Sequence, residues 1–453
     1  MTQLRSINPH DGSVVGEVMV STPQEVAAKV AAARAALSGW RDLGVAGRVA
    51  ILRYFVKAFS DHAEEFAQLA TKEMGMPIAA SRDDTLGYFT WYLDNAEKYL
   101  APEVTFEDDQ EIHTVYREPA GVVAAIAPWN YPASNFVWVC GQNLIAGNTV
   151  VFKHSEETPL CGQLLEKIMA EANLPEGVFS EVYGGKEVGE ALIAQDINLV
   201  QFTGSTRAGK ELYAKAAQKM LKINMELGGS APGIVFEDAD LDEAVGQIYG
   251  ARFYNSGQSC DALKRLLVHE SVYDVLVEKL ANKLKTVKVG DPSDPAHDMG
   301  PLVAERQVIL LESQVADALE KGAQVVVGGK RHGSTGAYYE PTLLVNLKPH
   351  MRVWREEVFG PVLPIAKFDT EEKAIRMAND TDYGLGSYVY TKDATRAQQV
   401  AAQLQAGMVS INGVSYNKPS NPFGGYKHSG LGREHGHFGF EDVTQIKVVA
   451  KSK

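Results

Sequence analysis

Apolar positions in the first hundred residues recur every three or four places, as in VAAKVAAARAAL and AGRVAILRYFVKAF. That period belongs to helices with one buried stripe, and it predicts helices through residues 23 to 100. Near residue 120 the rhythm changes. VVAAIAP, TVVFKH, VFSEVYGG and LVQFTG are short apolar runs, each leading toward helix-like sequence such as residues 133 to 146. Runs with no polar alternation predict parallel strands covered on both faces. After residue 260 the alternation resumes, with RLLVHES, QVVVGG, PVLPIAKF, GSYVYT and MVSING as strands between helix-like segments. Two α/β units are expected, with the boundary and a cleft near residues 230 to 260. Ligands of parallel sheets bind beyond the carboxyl ends of the strands.

Composition narrows the classes. The chain has 453 residues, 45% apolar and 22% charged, which is ordinary globular usage with room for two to four domains. A net charge of −13 argues against broad contact with nucleic acid or an anionic membrane. No uncharged apolar run reaches the roughly 20 residues of a membrane helix. The start, MTQLRSINPHDGSVVG, lacks the apolar core of a signal peptide, so a cytoplasmic protein is expected. Cys140, Cys161 and Cys260 show no C-x-x-C or Cys/His ligand spacing. Neither a disulfide framework nor a metal site is expected.

The segment FTGSTRAGKELYA places Gly204, Gly209 and Lys210 at P-loop spacing, but Glu211 stands where a magnesium-holding hydroxyl belongs. The G-x-G-x-x-G fingerprint is also absent. Two readings remain: Ser205 simply caps a helix, or the unpaired N–H groups at that helix start receive the pyrophosphate of a dinucleotide. NSGQSC, MELGG and PWNYP carry three further candidates, Cys260, Glu226 and Asn130. Taken singly, a lone Cys is more often buried filler, a lone Glu a solvated face, and an Asn before Tyr-Pro a turn.

Taken together, PWNYP, FTGST, MELGG, NSGQSC, EEVFGP and PFGGYKHSGLGRE, in this order, resemble the NAD(P)-dependent aldehyde dehydrogenase superfamily. The similarity runs over nearly the whole chain and resembles a short bacterial branch that includes succinate-semialdehyde dehydrogenases. It implies two Rossmann-like parallel α/β domains plus a small β oligomerisation arm. Residues 1–100 and 119–229 would form the NAD-binding domain and 230–430 the catalytic domain. Residues 101–118 and 431–453 would form the arm and C-terminal strand. Arms of this kind expose sheet edges that partners cover, so a homodimer or homotetramer is expected.

The resemblance also assigns roles. Cys260 attacks an aldehyde, the Asn130 amide and the Cys260 backbone N–H receive the oxyanion, and Glu226 serves as base for thioester hydrolysis. Relatives that pass the acyl group to coenzyme A generally lack that Glu, so a free acid is the expected product. Lys153 and Glu156 correspond to the pair on the adenosine ribose, Gly204 and Ser205 to the pyrophosphate contact. Trp129 lies beside the cofactor cleft, and Glu357 and Phe359 position the nicotinamide end. A carboxylate at Glu156 repels a 2′-phosphate, so NAD is expected, with NADP as a second cofactor in some relatives.

The substrate pocket is assigned to Tyr131, Trp138, Asp261 and Phe423. Semialdehyde enzymes of this kind commonly carry Arg eight residues after the oxyanion-hole Asn, where this chain has Trp138. Asp261, if it faces the pocket, repels acidic aldehydes and favours cationic or hydroxylated ones; if it points outward, it has no bearing. Lys418 in VSYNKPSNPF is the one residue that could restore a carboxylate partner. The expectation is oxidation of uncharged aliphatic or aromatic aldehydes, with succinate semialdehyde as the alternative. A catalytically silent binding or structural homologue and a redox-free thiol hydrolase stand further off.

Overall fold

Leu52, Phe55, Phe59 and Phe66 repeat at helical spacing, and all are buried on one side of the helix Gly44–Met74. The computed structural model describes residues 2–453. Helices Pro23–Asp42, Gly44–Met74, Ile78–Asp83 and Gly87–Leu100 fill the region whose periodicity predicts them. Thr22 and Glu25 cap the first through a reciprocal pair, and Gly75, at φ 80°, ends the second.

The first sheet runs, in spatial order, Gly430–Leu431, Lys222–Glu226, Leu199–Thr203, Val122–Ile126, Thr149–Lys153, Phe179–Glu181. All neighbours are parallel except the short outer strand, which pairs Gly430 with Glu226 in antiparallel register. Val122–Ile126, Thr149–Lys153 and Leu199–Thr203 are buried at every position, as their apolar sequences require. Register places Ile126 beside Lys153 and Thr203 beside Glu226, so these strands end together along one edge.

The second sheet runs Gln324–Val327, Thr342–Val345, Val362–Phe368, Leu263–His269, Ala231–Val235, Tyr388–Tyr390, Ser410–Ile411. Its strand Ala231–Val235 follows Glu226 after only the link Leu227–Ser230. The crossing between sheets is therefore that short link, at the upstream edge of the stretch expected for it, and Cys260 lies wholly on the second side.

A third sheet pairs Thr444–Ser452 with Glu111–Pro119 and that strand with Glu103–Glu107, all antiparallel. The C-terminal segment is less uniform than the sequence reading places it. Leu431 pairs with Met225 in the first sheet, and the helix Gly436–Asp442 packs against Gly87–Leu100. Gln142 holds the turn before that helix, accepting from His435 N at 3.1 Å and donating to Gly436 O at 2.9 Å. Within 431–453, only Thr444–Ser452 belongs to the three-stranded sheet.

Candidate active site

The helical stretch after VVAAIAP is not regular. Pro132–Phe136 and Gln142–Ala146 are α-helical, but Val137–Gly141 is a π-helical turn. Asp84 caps its start, accepting from the N–H groups of Ala133 and Ser134, each at 2.9 Å. The widened turn carries Trp138, which lines a cavity of about 540 Å³ between the two sheets.

Cys260 enters the same cavity from the opposite side. Its approach is a strained loop in which Asn255, Ser256 and Gly257 have φ of 49°, 55° and 74° in succession. Left-handed conformations at two non-glycine residues in a row are costly and persist only when surroundings over-determine them. Here they do. Asn255 Nδ2 donates to Asn130 O at 2.9 Å, Ser256 Oγ to Gly300 O at 2.9 Å, and Gln258 Oε1 accepts from Val303 N at 2.9 Å. The loop before the thiol is thus locked onto the segment that carries Asn130.

Asn130 is itself fixed. Its Nδ2 donates to Gln258 O at 3.0 Å, and its Oδ1 accepts from Asn135 Nδ2 at 3.0 Å. Those two bonds define which way the carboxamide points and leave the second Nδ2 hydrogen free of them. Glu226, the last residue of its strand, is buried, and neither carboxylate oxygen has a hydrogen-bond partner. Burial first, and the Glu434 carboxylate after it, push its pKa well above the usual range, against the pull of Arg433. The Cys260 thiol is likewise pushed up by burial and then by Asp261, with Lys264 opposing.

Asn130, Glu226 and Cys260 all line the cavity, as do Trp129, Gly204, Ser205, Glu357 and Phe359. Ser205 caps the helix Thr206–Gln218 by accepting from Ala208 N at 3.3 Å, so the plain capping role is real. The helix start nevertheless opens on the cavity, as a phosphate-binding turn must. A Cβ on Gly228 would collide with the Glu357 carboxylate, and the Thr203 hydroxyl is buried without a partner. This close backbone approach beside an unsatisfied hydroxyl fits an extended polar ligand. Trp129 and Phe359 meet edge to face at 5.5 Å. Lys153 and Glu156 do not line the cavity. They stand 3.6 Å apart at the end of the neighbouring strand, with Lys153 Nζ donating to His154 O at 3.1 Å.

A nucleophilic thiol, an oriented amide and a buried carboxylate thus share one cavity with a helix start suited to phosphate. The aldehyde dehydrogenase family pattern matches residues 1–449. The chain belongs to the aldehyde dehydrogenase family. Over 447 residues it is 38% identical to the NADP-dependent succinate-semialdehyde dehydrogenase of Escherichia coli K12, covering 98% of this chain and 93% of that one. It is also 38% identical to the glutarate-semialdehyde dehydrogenase of Pseudomonas aeruginosa, covering 98% and 92%. The solved NAD⁺ complex of an aldehyde dehydrogenase from Bacillus cereus superposes with a TM-score of 0.96 at 33% identity, covering 100% of this chain and 93% of that one. The chain is an NAD(P)-dependent aldehyde dehydrogenase.

One feature of this aldehyde dehydrogenase escapes the motifs. Lys264, fully buried, donates to Glu357 Oε1 at 2.7 Å and to Cys260 O at 2.7 Å, and so ties the Glu357 carboxylate to the Cys260 peptide. The signal was present: a Lys-Arg pair in the otherwise apolar strand LKRLLVH demands buried partners. Asp261 lines the cavity, as do Tyr131 and Phe423, and its carboxylate accepts from Ser259, Tyr416 and Asn417. Lys418 is exposed and does not line the cavity.

Proposed function

We propose that Cys260, Asn130 and Glu226 are the chemical residues of this enzyme, acting on aldehydes with uncharged tails in preference to carboxylate-tailed ones. The observation that carries it is their convergence on one cavity that also holds Trp129, Ser205, Glu357 and Phe359. Cys260 passes its thiol proton to Glu226, which releases it to solvent, and the thiolate attacks the carbonyl carbon to give the thiohemiacetal oxyanion. Asn130 Nδ2–H, its orientation fixed by Gln258 and Asn135, donates to the developing oxyanion. One such donor lowers a barrier by roughly 3 kcal/mol. The dinucleotide, when bound, supplies the hydride acceptor. Cys260 then carries an acyl thioester, and Glu226 takes a proton from the water that hydrolyses it. Burial first, and the Glu434 carboxylate after it, raise the pKa of Glu226, which makes it a stronger proton acceptor than an exposed carboxylate.

Lys153 and Glu156 would hold the adenosine ribose, Gly204 and Ser205 the pyrophosphate, and Glu357 and Phe359 the nicotinamide end, beside Trp129. Glu156 supports NAD over NADP. The preference for uncharged tails rests on Trp138, an aromatic wall with no cation beside it. The three-stranded sheet presents Val104, Phe106, Ile446 and Val448 to solvent, and we assign to it the contacts of a homodimer or a dimer of dimers. Residues 2–229, less the arm strands, serve as the cofactor domain and the second sheet as the catalytic domain. We place the enzyme in the cytosol, where its three free thiols stay reduced. Among the described residues no helix is long and apolar enough to cross a membrane.

The test is NADH formation across a panel of aldehydes, with NADP in parallel and Cys260→Ala as control. NADH formed from butanal or benzaldehyde and abolished in Cys260→Ala is the expected result. Aldehyde oxidation that survives Cys260→Ala overturns the assignment.

A further inference from the structure

We infer that the cavity selects aldehydes whose far end carries a positive charge, an ammonium or quaternary ammonium group. This rests on the proposed aldehyde-oxidising role of Cys260 and names the substrate class that the same site favours.

The first observation is Asp261, the residue after the nucleophile. Its Oδ1 accepts from Ser259 Oγ at 2.7 Å, and its Oδ2 from Tyr416 OH at 3.1 Å and Asn417 Nδ2 at 3.3 Å. Tyr388 OH donates to its main-chain carbonyl at 2.9 Å. Every one of these donors is neutral. The carboxylate is held rigidly beside Cys260 while its charge stays uncompensated. Its charge is felt by four neighbouring phenols: Tyr88, Tyr388 and Tyr416 are pushed up by burial and then by Asp261, and Tyr131 by burial, against its bond to Ser259, with Asp261 adding to the rise.

The second observation is the wall that meets this charge. Trp138 lies against Phe423 at 5.6 Å with the rings tilted by 31°, and Tyr88 lies against Trp138 at 6.2 Å. Ring faces beside a fixed carboxylate are the combination that binds ammonium groups, since the ring quadrupole and the carboxylate attract the same sign.

The third observation is what the cavity lacks. Among the described residues no Lys or Arg lines it, whereas Asp83, Asp84, Glu226, Asp261 and Glu357 do. Lys264 is committed to Glu357 and the Cys260 carbonyl. A carboxylate tail would find the nearby hydroxyls and amide already given to Asp261. Trp138 Nε1, buried without an acceptor, is one neutral donor, too little to offset the desolvation of an anion beside another anion.

The experiment compares three aldehydes of matched length, butanal, 4-(trimethylammonio)butanal and succinate semialdehyde, with NAD. The expected order of kcat/KM is cationic over neutral by about tenfold or more, and neutral over anionic by a similar factor. In Asp261→Asn the cationic-to-neutral ratio falls to within about threefold of unity. Because it is a ratio within one variant, a general loss of activity cancels. Should Asp261→Asn fail to fold, inhibition of butanal oxidation by butyltrimethylammonium and by butyrate on the unaltered enzyme reads the same preference, and only the cation competes. Butanal turnover with no cationic advantage, a preference for the acid, or an advantage that survives Asp261→Asn overturns the inference and leaves the role of Cys260 standing. No NADH from any of the three overturns both.

Discussion

The ammonium of Lys264 lies 2.7 Å from Glu357 Oε1, with no surface exposed to water on its own side chain. Gly229 N donates to the same oxygen at 3.0 Å, so Oε1 is fully engaged by protein and Oε2 is the one left for a ligand. Breaking a buried pair strands a charge. Lys264→Met is expected to destabilise the fold by on the order of 3 kcal/mol and to weaken NADH binding at least about tenfold. Thermal denaturation and a fluorescence titration with NADH measure the two effects. A variant that binds NADH as tightly as the parent would show that Lys264 serves only the fold.

The loop before Cys260 makes a second demand. Gly257 sits at φ 74°, and a Cβ there would stand 2.5 Å from Gly360 O, which is backbone and cannot turn aside. Gly257→Ala adds a left-handed penalty of roughly 1–2 kcal/mol to that clash. The expected outcome is a fall in kcat of at least about 30-fold with NADH affinity kept within threefold, because the thiol moves and the cofactor residues do not. Steady-state kinetics beside the NADH titration separate the two, and an unaltered kcat would mean that the strained loop has slack.

Protonation gives a third. Glu226 is raised, so its basic form is lost as pH falls through that raised value, at higher pH than for an ordinary carboxylate. The Cys260 thiol is raised as well, so thiolate grows as pH climbs. Both signs shift activity to the alkaline side. Glu434, itself raised to about 7 by burial, is the strongest like-charged neighbour of Glu226. Glu434→Gln is therefore expected to move the acid limb of kcat to lower pH. Glu226→Gln should give a burst of NADH followed by a slow steady state, since the first acylation stays fast while thioester hydrolysis becomes the slow step. A pH–rate profile and rapid mixing decide these, and an acid limb that ignores Glu434→Gln would sink the electrostatic account.

How much of this was legible without coordinates differs from residue to residue. The strands that lead to Asn130 and Ser205 are short apolar runs, legible as parallel strands, whereas the Glu226 strand, KINME, mixes polar and apolar residues. Cys260, Asn130 and Glu226 stood out only as a set, because no local pattern distinguishes a catalytic Glu from a solvated one. Lys264 is a different case: the Lys-Arg pair in an apolar strand calls for a buried partner, but the sequence does not say which, and that partner lies 93 residues away. The π-helical turn under Trp138 leaves no mark in FVWVCG. Asn255 and Ser256 give no hint of their left-handed backbone, which long-range bonds from their side chains enforce. What was missed is in each case set by tertiary partners rather than by neighbours in sequence.

Glu156 decides the cofactor in the proposed reading. Its carboxylate lies 3.6 Å from Lys153 and is half exposed, free to chelate ribose hydroxyls and to repel a 2′-phosphate. Glu156→Gln is expected to raise kcat/KM with NADP at least about tenfold while lowering it with NAD, which removes about 1.4 kcal/mol or more of discrimination. Paired assays with the two cofactors check it, and a parent enzyme already faster with NADP would refute the role given to Glu156.

If Trp138 and Asp261 act on substrate charge together, as we infer, an engineered switch is conditional. Both line the cavity, and Tyr88 packs on the Trp138 ring and is raised by burial and then by the Asp261 charge. Trp138→Arg alone should gain little on succinate semialdehyde, because the new guanidinium has a resident carboxylate to pair with. Trp138→Arg with Asp261→Asn frees that guanidinium for the substrate. The double variant is expected to exceed either single variant at least about tenfold in the succinate semialdehyde-to-butanal ratio of kcat/KM, a coupling of about 1.4 kcal/mol. Ratios that simply multiply across the two singles would show that the residues do not share a ligand, and would count against Asp261 as the charge that governs this pocket.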